Sequence, residues 1–129
     1  MAIANDIFIL ASGQQTAEDW FNKGIALHFQ DKYDEAVQAF DKAIRIDPQL
    51  AEAWCNKGNT FNAQGNYDEA IQAYDKAIEV NPQYVEAWNN KSIALGQKGN
   101  YDEAIKAFDK AIELDPKHAG AWYGKTIAL

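Results

Sequence analysis

Few side chains in this sequence of 129 residues could act as a nucleophile, a general base or a metal ligand. Cys55 is the only cysteine, and no residue beside it in the sequence would activate its thiol. The two histidines, His28 and His118, lack a metal-ligand partner at helical spacing. The sequence contains neither a phosphate-binding glycine motif nor HExxH. We therefore predict no enzyme activity, no cofactor and no metal site.

A short motif recurs at a fixed interval and indicates what positions these side chains. WFNKG, WCNKG, WNNKS and WYGKT begin at Trp20, Trp54, Trp88 and Trp122, so that 54 − 20, 88 − 54 and 122 − 88 all equal 34. A constant period of this size is typical of repeat architectures. We divide the chain into an apolar segment at 1–16, units at 17–50, 51–84 and 85–118, and a partial unit at 119–129.

Each unit contains two apolar patterns with the spacing of one helix face. In the second unit they are Trp54, Gly58 and Phe61, then Ala70, Tyr74 and Ala77, both at i, i+4 and i+7. The predicted fold is all-α, with helices near 17–30, 33–46, 51–64, 67–80, 85–98, 101–114 and 119–129. These helices make three hairpins and a remainder.

Turn residues separate the two helices of each unit. Gly65 and Gly99 can end one helix in the left-handed conformation, and the asparagines after them predict capping boxes for the next helix. In the first unit Asp31-Lys32 replaces Gly-Asn, which predicts a more strained turn. Ser92 replaces the small glycine of the first two units, which predicts slightly wider packing.

The repeated residues resemble the signature of the tetratricopeptide repeat. In the first unit they are Trp20, Gly24, Leu27, Ala36, Phe40, Ala43 and Pro48, and the second and third units repeat the pattern. The resemblance implies a right-handed superhelix of antiparallel helix pairs, in which the first helices line a concave groove. It also implies binding of a protein, through an extended peptide or a partner's helix.

If the first helices line a groove, the residues opposite the core are candidates for contact with a partner. They include Asn22, Asn56, Asn90, Phe21, Ile25, Phe29, Glu52, Cys55, Asn59, Glu86, Asn89 and Ile93. Asn22, Asn56 and Asn90 form a row with one member per unit, and an amide both donates and accepts hydrogen bonds. The row either pairs with a peptide backbone, as in peptide-binding members of the resembling family, or consists of solvated residues inherited with the repeat.

The charges at these positions indicate the kind of partner. Members of the family that grip a terminal carboxylate carry Lys, Arg and Asn at positions that correspond here to Phe21, Ile25, Asn56, Glu86 and Asn90. Only Asn56 matches, so such a carboxylate clamp is not expected. Glu18, Glu52 and Glu86 favour a protein or peptide with basic and apolar residues.

Lysines recur at the position three residues after each tryptophan (Lys23, Lys57, Lys91 and Lys125). Such a row could attract an acidic ligand. It could equally cover the edge of the core with its aliphatic stems while each ammonium reaches water or an acid on a neighbouring helix.

Composition excludes other partner classes. The formal net charge is −7, which argues against nucleic-acid binding. No apolar run has the roughly 18–20 residues needed to span a bilayer, so membrane insertion is not expected. The segment AIANDIFIL at residues 2–10 lacks a basic region and contains an acid, so it fits a signal peptide poorly. It is either the tail end of a trimmed leader or linker, or an apolar strand or helix turn that packs elsewhere. We expect a cytoplasmic protein unless a leader preceded residue 1.

The last helix would leave apolar residues without a partner helix. Trp122 and Leu129 face a second helix that this sequence does not contain. The chain is then a fragment of a longer array, pairs end to end with another copy, or has the patch covered by Ile7 and Phe8 of a neighbour. The last two arrangements make self-association, and hence a homo-oligomer through the chain ends, the alternative function.

Overall fold

The computed structural model of the chain describes residues 15–129, and these residues form seven α-helices. They are α1 (Ala17–Phe29), α2 (Tyr33–Ile46), α3 (Ala51–Ala63), α4 (Tyr67–Val80), α5 (Val85–Lys98), α6 (Tyr101–Leu114) and α7 (Ala119–Ala128). Every predicted helix is present to within one residue at either end, and the predicted all-α class is confirmed. Ile7 and Phe8 lie outside the described residues.

The helices stack as successive hairpins. The first, second and third hairpins are α1–α2, α3–α4 and α5–α6, and each hairpin packs on the next through α2–α3, α4–α5 and α6–α7. The odd-numbered helices also contact one another directly, from α1 to α3, α3 to α5 and α5 to α7. They therefore share one side of the stack, which we call the groove face.

The core repeats with the hairpins. One aromatic side chain from the second helix of each hairpin is buried among small residues, namely Phe40, Tyr74 and Phe108. The surrounding alanines are fully or almost fully buried, including Ala36, Ala43, Ala70, Ala77, Ala104 and Ala111. Because alanine has so small a side chain, the two backbones approach closely and the ring fills the space between them.

The turns inside the hairpins follow the prediction. Gly65 and Gly99 have φ values of 80° and 93°, which is the left-handed region that glycine adopts without a steric penalty. Asp31 has a φ of 61° although it has a side chain, so the first turn is the strained one. Its carboxylate Oδ1 accepts a hydrogen bond of 3.0 Å from the Tyr33 hydroxyl, and this bond raises the pKa of Tyr33.

The predicted capping boxes at Asn66 and Asn100 are wrong. Neither side chain makes a capping hydrogen bond. The backbone N–H of Asn66 instead donates back to the Phe61 carbonyl at 2.9 Å, which closes the end of α3 around Gly65. The one complete capping box of the described helices is at α1, where Thr16 and Asp19 exchange hydrogen bonds of 3.1 and 3.2 Å.

Three of the four recurring tryptophans tie an odd-numbered helix to the turn before it. The indole Nε1 of Trp54 donates to the Pro48 carbonyl at 3.3 Å, and that of Trp88 donates to the Pro82 carbonyl at 3.0 Å. The equivalent bond from Trp122 spans 2.8 Å. These bonds connect the first turns of α3, α5 and α7 to the prolines that follow the preceding hairpins.

Candidate functional site

The three asparagines of the predicted row lie on the groove face but differ in their surroundings. Asn22 is exposed on α1. Asn56 is half-buried, and its Nδ2 donates to the Glu52 carbonyl of its own helix at 2.9 Å. Asn90 is also half-buried, and its Nδ2 donates across to Asn59 Oδ1 on α3 at 3.0 Å. The row is therefore not a set of equivalent free amides, and its contact with a partner stays a prediction.

Asn59 is the centre of a polar cluster between the second and third hairpins. Its Oδ1 accepts from Asn90 and also from the Tyr74 hydroxyl, at 2.7 Å. Burial raises the pKa of Tyr74, so the hydroxyl stays protonated and remains a donor. Beside this cluster is a cavity of about 110 Å³ lined by Asn59, Asn62, Tyr74, Asn90 and Ile93, which we call the polar cavity.

Asn62 gives the polar cavity an unsatisfied hydrogen-bond acceptor. Its Oδ1 is buried and has no hydrogen-bond partner among the described residues. A buried polar atom without a partner costs about 1–3 kcal/mol, so a donor that pairs with it would be stabilised.

One repeat later, the same position holds a larger and apolar cavity. It has a volume of about 310 Å³ and is lined by Ser92, Ile93, Gly96, Gln97, Tyr101, Phe108, Gly124, Ile127 and Ala128. Every residue that lines the polar cavity has its counterpart 34 positions later in this lining. We call it the apolar cavity.

The difference between the two cavities begins at the core aromatic ring. A Cβ atom on Gly58 would lie 2.6 Å from Tyr74 Cε1, so glycine is needed for that ring to pack inside its own hairpin. Ser92 occupies the equivalent position of the third hairpin and has a Cβ. The Phe108 ring instead packs where a Cβ on Gly124 of the next helix would be. The sequence had indicated wider packing at Ser92 but not this change of partner.

The prediction that Cys55 and Asn89 present their side chains in the groove is wrong. They occupy equivalent positions on α3 and α5 and are only 2% and 6% exposed. Cys55 belongs to a buried cluster with Ala87 and Ala94 of the next hairpin. Burial raises the pKa of the Cys55 thiol to about 11, so the thiol is not activated as a nucleophile. The periodicity missed this because the following hairpin covers that side of α3.

The apolar residues predicted for the groove are exposed to different extents. Phe21 is half-buried, with its ring centroid 6.0 Å from that of Phe40, and Ile25 is also half-buried. Phe29 and Ile93 are 79% and 40% exposed, so both offer apolar surface to a partner.

Both histidines connect neighbouring odd-numbered helices. His28 Nδ1 lies 2.9 Å from the Thr60 hydroxyl, which joins α1 to α3. His118 Nδ1 accepts from the backbone N–H of Ala121, while its Nε2 lies 2.7 Å from Glu86 Oε1. His118 therefore caps α7 and ties it to α5. The sequence signal for this role was the position of His118 directly before a helix start.

The predicted acidic row lies at the start of the odd-numbered helices. Glu18, Glu52 and Glu86 are all exposed. Glu86 is held by His118, whereas Glu52 lies beside the Asn56 position of the row. The carboxylates give the groove face a negative charge near the N-termini of α1, α3 and α5.

The lysine row lies on the opposite face of the odd-numbered helices. Lys57, Lys91 and Lys125 each reach an aspartate of the preceding hairpin, Asp41, Asp75 and Asp109, at 2.7 Å. A cavity of about 460 Å³ lies beside Lys57, and one of about 380 Å³ lies beside Lys91. Because these larger cavities repeat with the same kinds of lining residue, they follow from the shape of the hairpin and distinguish no repeat from another. Lys57, Lys91 and Lys125 are therefore edge residues paired with acids.

Models of known protein families match nearly the whole described chain. One tetratricopeptide-repeat model matches residues 55–119 and 91–127, and another matches residues 17–50. The chain belongs to the tetratricopeptide repeat family. The resemblance seen in the sequence is thereby confirmed, together with the superhelical fold that it implied.

Solved structures of tetratricopeptide-repeat domains share this fold. The first such domain of Spaghetti (RPAP3), bound to the HSP90 peptide SRMEEVD, has a TM-score of 0.84 at 24% identity over 88% of this chain and 90% of that one. The second domain of human RPAP3, in complex with the HSP70 peptide SGPTIEEVD, has a TM-score of 0.83 at 21% identity over 87% and 93%. MamA has a TM-score of 0.76 at 34% identity, over 81% of this chain and 61% of MamA. A comparison with curated proteins finds no significant match.

The last tetratricopeptide helix exposes several large apolar side chains. Trp122, Tyr123, Ile127 and Leu129 are 49%, 70%, 67% and 84% exposed. Self-association through Trp122 and Leu129 stays a prediction.

Two further expectations concern metals and membranes. Within residues 15–129 there is no group of three or more side chains that could hold a metal ion. No helix in that range is both long enough and apolar enough to cross a bilayer.

Proposed function

We propose that this tetratricopeptide-repeat chain binds an extended segment of another protein along its groove face and performs no chemistry on it. The observation that carries the proposal is the meeting of amides and apolar side chains on one face. Asn22, Asn56 and Asn90 lie beside Ile25 and Ile93 on the odd-numbered helices. Amides can pair with any peptide backbone, while the apolar side chains select for bound side chains.

The charge of the groove face supports a partner segment with basic residues. The related domains of RPAP3 were solved with peptides that end in EEVD, which are acidic. Glu86 of this chain stands at a position where a carboxylate clamp would need positive charge, and Glu18 and Glu52 add negative charge to the same described groove. Because like charges repel across an interface, we propose a segment with lysine or arginine and apolar residues in place of an acidic tail.

Selection from a displayed random-peptide library on the full chain tests the proposal. We expect basic and apolar residues to be enriched, and binding of the selected peptides to fall about tenfold or more when Asn22, Asn56 and Asn90 become Ala, since each hydrogen bond contributes about 0.5–1.5 kcal/mol. The matched control changes Gln38, Gln72 and Lys106 to Ala, because these exposed residues have the same spacing on the even-numbered helices. Equal losses in the two triple variants would contradict the groove as the binding face.

Charge reversal tests the acidic row separately. Glu52→Lys combined with Glu86→Lys should weaken the binding of basic peptides and strengthen the binding of an acidic peptide such as SRMEEVD. Glu86→Gln alone is the control for loss of the contact with His118, which lies 2.7 Å away. Unchanged affinity for both kinds of peptide in the double variant would remove the glutamates from the proposal.

A second function, assembly of copies through their ends, is favoured by the exposed apolar side chains of α7. Trp122 and Leu129 offer such surface at the last described helix. Light scattering at high concentration distinguishes the two functions. A strict monomer that binds peptides excludes assembly, whereas association abolished by Leu129→Ser without any peptide binding would favour it.

A further inference from the structure

We propose that the apolar cavity anchors one bulky apolar side chain of a partner segment. A basic residue four or five positions away in the same segment then faces the acidic row of Glu18, Glu52 and Glu86. The inference rests on the proposed function and adds the anchor, its location and its spacing from the charge. The cavity lies between α5, α6 and α7, on the groove face.

Loss of three asparagines makes the lining of this cavity mostly apolar, with Ser92, Gln97 and Tyr101 as its polar members. The three asparagines that line the polar cavity are Asn59, Asn62 and Asn90, and their counterparts one repeat later are Ile93, Gly96 and Gly124. No amide fills the space or offers a hydrogen bond at these three positions. The only polar atom contributed by Ser92 is satisfied, because its hydroxyl donates to the Trp88 carbonyl at 2.7 Å.

The cavity has the size of an anchor pocket. Its volume is about 310 Å³, against about 110 Å³ for the polar cavity. An apolar cavity of about 150 Å³ already accommodates a benzene ring. A phenylalanine, leucine or similar side chain therefore fits, and it would cover the exposed surfaces of Ile93 and Ile127.

The cavity is not simply a helix face that a following helix would cover. The polar cavity occupies the equivalent place beside α5, and it stays open although α6 follows α5 and packs on it. By the same geometry, a helix placed after α7 as α6 is placed after α5 would cover Ala128, whose counterpart Ala94 is fully buried, but would leave open the part of the apolar cavity beside Ile93, Gly96 and Gly124. The opening faces the groove.

The negative charge of the acidic row and its distance from the apolar cavity favour a basic segment of another protein as the occupant. Glu86 precedes Gly96 by ten residues on α5, which at 1.5 Å per residue places them roughly 15 Å apart along the helix. An extended chain spans about 3.3–3.6 Å per residue, so four or five residues bridge that distance. The favoured segment therefore has a lysine or arginine four or five positions from its bulky apolar residue.

Three capped hexapeptides test the proposal, with binding followed by the NMR shifts of the full chain. The probe has Lys first, Phe last and four Ser between them. One control replaces the Phe by Ser, and the other replaces the Lys by Glu. We expect the loss of Phe to weaken binding about tenfold or more, as burial of one phenyl side chain predicts. The shifts caused by the Phe should centre on the Gly96 and Gly124 amides.

Gly96→Asn is the matched variant of the protein, because it restores the residue that the second hairpin has at Asn62. A Cβ at Gly96 meets no atom within 4 Å, so the variant should fold. It should bind the Phe probe no better than the wild type binds the Ser control. Ile46→Asn, at an exposed apolar residue of α2 outside the groove, should leave the probe's affinity unchanged.

Three results would overturn the anchor pocket. They are equal binding of the Phe and Ser peptides, no binding of the Phe probe at millimolar concentration, and full binding to the Gly96→Asn variant. If the library peptides still depend on Asn22, Asn56 and Asn90, the groove function survives such a failure. A wild-type dimer that Gly96→Asn converts to a monomer would assign the cavity to a second copy and also overturn the proposal.

Discussion

The polar and apolar cavities occupy the same position in two consecutive repeats, yet they differ in volume and in chemistry. In the first of them, the Tyr74 hydroxyl and two asparagines fill the space and bond to one another at 2.7 and 3.0 Å. In the second, Phe108 has no hydroxyl and packs against Gly124, and the cavity has a volume of about 310 Å³ against about 110 Å³. A repeat can therefore keep its backbone while a few side chains turn a small polar cavity into a larger apolar one.

The largest difference we expect between the two positions concerns pH. Cys55 lies at the junction that holds the polar cavity, and its counterpart Asn89 does not titrate. Burial raises the Cys55 pKa from 9.0 to about 11, so its contribution to stability is complete below pH 9 and is lost as the pH rises to about 11. The free energy of unfolding should fall by about 2–3 kcal/mol across that window through this group.

Urea denaturation at several pH values, compared between wild type and Cys55→Ala, measures this contribution. The two proteins should differ in stability by a smaller amount at pH 11 than at pH 8. Parallel curves for the two proteins would mean that the thiol is not buried as the structure places it. Rapid labelling of the native protein by a thiol reagent at pH 8 would lead to the same conclusion.

The next effect separates a glycine that contacts the core ring from one that does not. Gly58→Ala places a Cβ 2.6 Å from the Tyr74 ring and should destabilise the fold by about 1–3 kcal/mol. Gly96→Ala meets no atom and should stabilise α5 by about 0.5–1 kcal/mol, because alanine loses less entropy in a helix. Thermal denaturation measures the change in stability of each variant. Changes of the same sign would contradict the predicted difference between Gly58 and Gly96.

Removing the Tyr74 hydroxyl, which lines the polar cavity, should have a moderate effect. Tyr74→Phe gives the second hairpin the phenylalanine that the third hairpin has at Phe108. Among the described residues, Asn59 Oδ1 then keeps one hydrogen-bond donor, Asn90. We expect a loss of about 0.5–1.5 kcal/mol in the free energy of unfolding, measured in urea. Tyr67→Phe, on the same helix, is the control and should change stability by less than about 0.5 kcal/mol. A Tyr74→Phe variant as stable as this control would show that the hydroxyl does not hold the cluster.

The smallest effects should be the same at both junctions. Lys91 pairs with Asp75 and Lys125 pairs with Asp109, both at 2.7 Å and both partly exposed. Asp75→Asn and Asp109→Asn should therefore each cost at most about 1 kcal/mol, less at high salt, without any effect on peptide binding. A clear inequality between the two variants would mean that the junctions differ in more than their cavities.

Most of the fold could be predicted from the sequence, because its signals are local. Helix bounds follow from the i, i+4, i+7 spacing and from the prolines after each second helix. The left-handed turns at Gly65 and Gly99 and the strained Asp31 were equally readable, since each depends on a single residue type. The caps at Asn66 and Asn100 were not, because a backbone bond around the glycine replaced the side-chain bond.

The candidate site could be predicted only in part. Helical periodicity correctly predicts which face of α1, α3 and α5 is away from the core of its own hairpin. It cannot show that the next hairpin buries Cys55 and Asn89, or that Asn90 is bound to Asn59. These contacts join residues about one repeat apart, and their formation depends on how the hairpins stack.

The architecture and its period follow from the sequence, because similar turn, proline and small-residue signals recur every 34 residues and each acts locally. The differences between the repeats depend on tertiary packing. Ser92 lies on α5 and Gly124 lies on α7. Together they cause the Phe108 ring to pack against α7, whereas the Tyr74 ring packs against Gly58 inside its own hairpin. Packing of that kind depends on three side chains meeting in space, and no single stretch of the sequence contains them.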